Sequence, residues 1–79
     1  MPDVTEMKRC EALAEKAYSD MYDAAPHNVK DCYEDARRGF AEAIRIARLL
    51  ERMEDVARLD ARTRHLDGVY NSQFRYAGR

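Results

Sequence analysis

Residues 33–46 read YEDARRGFAEAIRI, and the spacing of small and large apolar residues within them decides the fold. Tyr33, Ala36, Phe40 and Ala43 recur at intervals of three and four, the period of one face of an α-helix. Working outward, Val29 extends that stripe backward, and Ala47 and Leu50 extend it forward. The preceding segment has the same habit in Met7, Cys10, Ala14, Ala17, Met21 and Ala24, widened by Leu13 and Tyr18. Two stripes with small residues at their centres let helix axes approach closely while Tyr33 and Phe40 fill the gaps. The expectation is a tight antiparallel hairpin.

Punctuation sets the ends. Asp3 or Thr5 opens the first helix, because a side-chain oxygen there accepts from a free backbone N–H and Glu6 suits the positive end of the helix dipole. Pro26 disfavours a helical Ala25, so AAPHN is a loop. Asn28 then reads as the N-cap of the second helix, with Asp31 beside its exposed N–H groups. A second stripe, Ile46, Leu49, Met53 and Val56 followed by Leu59, Thr63, Leu66 and Tyr70, is rotated away from the first. Two readings accommodate it. The favoured one breaks the chain near Arg52 to Asp55 and folds a third helix back along the second. The other is one long helix from Val29 to about Phe74 that pairs with another chain, since neither Gly nor Pro interrupts residues 40–67. The expected fold is all-α: a single domain over residues 1–79, with helices at about 4–25, 29–52 and 55–74, an antiparallel hairpin carrying a third helix, and a frayed tail at 75–79.

Tyr33, Ala36, Phe40 and Ala43 resemble the second helix of a tetratricopeptide repeat, which carries an aromatic, a small residue, a bulky aromatic and Ala at these intervals. Leu66, Asp67 and Tyr70 resemble the start of a following unit, with Asp in place of the family's Gly, and Tyr18, Ser19 and Tyr22 echo it on helix one. AAPHN stands where the family has a tight turn, and Tyr22 to Tyr70 spans 48 residues against about 34 in a standard repeat. The resemblance implies a non-enzymatic protein–protein interaction module. It also implies fewer than the roughly three repeats that make a stable stack, so an exposed face needs a cover. Self-association with two-fold symmetry supplies one, and a homodimer is expected.

Size and composition point the same way. The chain has 79 residues, 46% hydrophobic and 37% charged, with three Gly and two Pro. A chain this short buries only about 60% of the surface its unfolded state exposes. No apolar run approaches the roughly 18 residues of a membrane span, and MPDVTEMKRC lacks the apolar core of a signal peptide, so a cytoplasmic protein with no membrane contact is expected. Net charge is −1, with −3 in residues 1–28 and +1 in each of 29–53 and 54–79. Eleven of the fourteen bases are Arg, which suits fork-shaped pairing to carboxylates across helices or reflects genome composition.

Chemistry-bearing residues are sparse. Cys10 and Cys32 would sit on the order of 15 Å apart along a hairpin turning at 26–28, beyond the roughly 7 Å limit for bridged Cα atoms, so no intrachain disulfide is expected. His27 and His65 lack a His or Cys partner at helical metal-pair spacing, and the paired acids read as solvated faces and helix-start charges. No catalytic residue, metal or cofactor is expected. Arg38, Arg45 and Arg52 are seven apart, joined by Arg48, Arg58 and Arg62, which gives a second functional reading as a small nucleic-acid-binding regulator. Glu34, Glu42, Glu51, Asp55 and Asp60 interleave with them, and a pI of 6.1 offers little long-range attraction to phosphate. Two readings fit the aromatic C-terminal end: Tyr70 and Phe74 cap the core beside the AAPHN loop, or Tyr70, Phe74, Arg75 and Tyr76, with Tyr22 from helix one, form a docking surface for a protein partner. Tyr and Arg are enriched in binding hot spots.

Overall fold

A computed structural model describes residues 2–74, and within them the protein is all-α, with three helices and no strand. Helix α1 spans Val4–Asp23, α2 spans Val29–Leu49 and α3 spans Met53–Val69. A wider i→i+5 turn continues α3 over Tyr70–Phe74. Arg75 and Tyr76, and the tail at 75–79, lie outside the described residues.

Each end has a local cause. Asp3 is extended, and its carboxylate accepts from the Glu6 N–H at 3.0 Å, satisfying one of the orphan donors of α1. Helix α1 stops at Asp23, two residues before the expected end, because Ala24 and Ala25 are both extended ahead of Pro26. Asn28 is not the capping residue expected. Pro26 starts a 3₁₀ turn, Pro26–Asn28, that runs straight into α2, so Asn28 already has helical dihedrals and its side chain caps nothing.

Helix α2 ends at Leu49 rather than 52. The Glu51 N–H donates to the Arg48 carbonyl and the Arg52 N–H to the Ala47 carbonyl, closing a left-handed cap with Glu51 at φ 56°. Since the turn uses only Leu50–Arg52, α3 begins at Met53, two residues early.

Helices α1 and α3 both run antiparallel to α2 and therefore parallel to each other. Three cross-helix contacts show it: Glu11 with Arg58, Glu15 with Arg62 and Tyr18 with His65 each join residues 47 apart. Helix α2 packs extensively on α1 and more lightly on α3. The core takes Met7, Ala14, Tyr18 and Met21 from α1, six residues of α2 centred on Phe40, and Leu59 and Leu66 from α3. Ala36, Phe40 and Ala43 are fully buried, and Tyr33 lies half-buried beside them. Truncating Phe40 to Ala would cost about 3–5 kcal/mol, a large share of what a domain this small has. The described residues hold one hairpin and one further helix, with no second hairpin that would make an internal repeat.

Candidate functional site

Tyr18 and Tyr22 stand one turn apart on the last half of α1, so both project toward the seam with α3. Tyr18 is 4% exposed and belongs to the core, whereas Tyr22 is 50% exposed. Their rings are parallel, with centroids 6.0 Å apart and planes 9° apart. Phe74 meets Tyr22 edge-on, centroids 5.3 Å apart at 83°. Both distances fall in the range where aromatic pairs add to plain burial.

Helix α3 supplies the polar half. The Tyr18 hydroxyl and His65 Nδ1 are 2.6 Å apart. Burial pushes the Tyr18 phenol up to about 12, helped by the neighbouring Tyr22, so it keeps its proton at neutral pH. Arg62 lies over the Tyr18 ring, 5.0 Å from its centroid, and its fork grips Glu15 with bonds of 2.9 and 2.7 Å. An open cavity of about 310 Å³ is lined by Glu15, Tyr18, Ser19, Tyr22, Arg62 and His65. It offers an aromatic floor, a fixed guanidinium and an imidazole edge, a set suited to holding a ligand group.

The expected cluster is only partly assembled. Tyr22 and Phe74 do meet. Tyr70 turns to the other side of α3 and stacks on Tyr33, centroids 3.9 Å apart at 8°. There the Tyr33 hydroxyl donates to Asp67 at 2.7 Å, and Arg37 adds bonds of 2.8 and 3.0 Å to the same carboxylate. The Arg37 fork holds the Asp67 carboxyl below its ordinary range, and burial raises the Tyr33 phenol. Tyr70 thus serves the α2–α3 contact.

Sequence reasoning missed Tyr18, Arg62, Glu15 and His65 as parts of one site. Glu11 and Glu15, among the paired acids that read as solvated faces, and His65, which is exposed, each have a partner across the bundle. The available signal was the constant separation of 47, which has meaning only once α1 and α3 are known to be parallel neighbours.

Several Arg side chains do pair with carboxylates, three of them across helices. Arg37, Arg58 and Arg62 bridge helices, and Arg9, Arg38, Arg45, Arg52 and Arg64 pair with acids one turn away. The basic residues of α2 and α3 therefore present mostly neutralised faces. Cys10 and Cys32 are half-buried thiols, not a disulfide, and burial pushes both upward. His27 is exposed in the 3₁₀ turn. Among the described residues no three His, Cys, Asp or Glu side chains converge to hold a metal, and no helix is long and apolar enough to cross a membrane. Comparison with protein-family profiles, with curated proteins and with solved structures gives no match for this chain.

Proposed function

We propose that this chain is a non-enzymatic protein–protein interaction module of the cytoplasm that self-associates as a homodimer and docks a protein partner at its aromatic end. The observation that carries the reading is Tyr22: a large aromatic, half exposed, yet fixed between Tyr18 and Phe74 at the rim of an open cavity. A pre-ordered aromatic loses little freedom on binding and presents apolar area with a polar tip, the combination found at hot spots. The tetratricopeptide-like spacing of Tyr33, Ala36, Phe40 and Ala43 supports a helical interaction scaffold but names no partner.

Two measurements test the proposal. Light scattering across protein concentration, with helicity followed alongside, should give a dimer mass in the micromolar range, and a persistent monomer removes the self-association. Partner capture compared between the wild type and a folded Y22A/F74A variant tests the surface. Equal capture by both would remove it. The nucleic-acid reading draws on Arg residues that, Arg48 apart, are paired to acids, and a complex with duplex or single-stranded nucleic acid whose affinity falls steeply with salt would reinstate it.

A further inference from the structure

The turn between α2 and α3 is built from residues that favour continuing the helix. Leu49, Leu50, Glu51, Arg52, Met53 and Glu54 are all strong helix formers. The turn nevertheless places Glu51 in the left-handed region, φ 56°, at the position where helices that end this way carry Gly. Arg52, the N-cap of α3, offers no acceptor and makes no capping bond. The apolar contact that often accompanies such a cap is also missing, since it would fall between Ala47 and Arg52. Local sequence and tertiary packing therefore disagree over these three residues.

Beside the turn, two large apolar side chains face solvent, Leu49 at 51% and Met53 at 63% exposure. Straightening residues 50–52 would join Val29 to Val69 in one helix of about 60 Å and bring Leu49 and Met53 onto one face, four residues apart.

The folded-back pairing of α3 on α2 fixes what a second copy would do. Arg37 faces Asp67 and Tyr33 stacks on Tyr70, antiparallel pairs with midpoints at Arg52 and between Glu51 and Arg52, on the turn itself. If the same pairs form between two straightened chains, the two-fold axis passes beside Glu51 and Arg52. Every contact α3 makes in the folded-back chain is then remade on the other copy's hairpin. In addition, Glu51 leaves the left-handed region.

From these observations we infer that two copies of this chain associate by exchanging α3, with Leu50–Arg52 as the hinge. The inference rests on the self-association proposed above and specifies its geometry. Exchange of an identical element is a low-cost route to a dimer, and a short hinge that strains the chain favours it.

The test uses the full chain, with light scattering for mass and small-angle scattering for length. An exchanged dimer sets two bundles end to end and should be roughly twice the 41 Å length of the single chain, whereas a face-to-face dimer keeps that length. E51G makes the folded-back turn easier and should raise the dimer dissociation constant at least about tenfold, without touching any apolar surface. E51V, a β-branched residue that resists the left-handed region, should lower it. If E51V fails to fold, E51G carries the test alone. A dimer of single-chain length, or one indifferent to E51G, overturns the exchange while leaving self-association standing. A monomer at all concentrations removes both.

Discussion

Gly39 of α2 lies against Ala14 of α1 so closely that a Cβ added at Gly39 would stand 2.8 Å from the Ala14 Cβ and 3.1 Å from its Cα. The obstruction includes backbone, which no side-chain rotation can clear. The two helices therefore touch backbone to backbone at the middle of the hairpin, and the absence of a side chain at residue 39 is what permits it. Gly68 is the opposite case, with nothing within 4 Å of an added Cβ. Both glycines lie within helices, where Ala is intrinsically better by about 1 kcal/mol. Overpacking costs roughly 1–3 kcal/mol, enough to reverse the sign at Gly39 only. G39A should lower the melting temperature by several degrees and G68A raise it, as read by thermal circular dichroism. A rise for G39A would mean the helix axes can part without loss.

Asp67 ties α3 to α2 through three hydrogen bonds, and Arg37 is the main cause of its lowered carboxyl pKa. A carboxylate whose folded pKa lies below its unfolded value contributes stability that is present above about pH 4 and is lost as pH falls through the folded value. Its side chain is 28% exposed and that of Arg37 52%, so solvent screening limits the effect. D67N should cost about 1–2 kcal/mol at neutral pH in urea titration and flatten the acid limb of the stability curve. An acid limb unchanged by D67N would place the titrating group elsewhere.

For Tyr18 the sign is the reverse. Burial raises the Tyr18 phenol to about 12, above the roughly 10 of an unfolded chain, so its contribution is complete below about pH 10 and disappears as pH rises through 12. Tyrosinate absorbance followed through an alkaline titration should show a late component that Y18F removes. Y18F should also cost about 0.5–1.5 kcal/mol at neutral pH by leaving His65 Nδ1 to water. If the late component survives, Tyr18 is not its source.

The Glu15–Arg62 pair fixes α3 on α1 in a bidentate geometry, with both side chains a little over a third exposed. A double-mutant cycle through E15A and R62A should give a coupling of roughly 0.5–1 kcal/mol that shrinks in concentrated salt. Because Arg62 also covers Tyr18, R62A alone should cost more than E15A alone. Equal costs would show that the guanidinium's packing on the ring contributes nothing.

Some of the molecule was legible in local chemistry. Asp3 could be read as a cap because it needs only its own N–H neighbours three residues on, and Ala24 and Ala25 leave the helix because Pro26 follows them. The burial of Ala36, Phe40 and Ala43 followed from a period that every amphipathic helix obeys. Gly39 escaped notice because a helical glycine in a sequence signals only a propensity cost, and its benefit exists only opposite Ala14. Tyr70 and Phe74 are close in the chain, yet Tyr70 stacks on Tyr33 of α2 and Phe74 meets Tyr22 of α1.

By itself, then, the sequence determined the all-α class, the helices on either side of Pro26 and most of the residues they bury, since these depend on side-chain period and on capping within a few residues. It left residues 29–74 readable as one helix or two, and Leu13, Leu49 and Met53 of its apolar stripes are exposed. Tertiary structure decided which side of α2 receives α3, and with it the parallel pairing of α1 and α3, the Tyr18–His65 bond and the left-handed turn at Glu51. Those depend on contacts between residues 30 to 47 apart, and no local preference encodes them. At Glu51 local preference opposes the folded-back chain, which is held by the packing of Leu59 and Leu66 and the ion pairs of Arg37, Arg58 and Arg62.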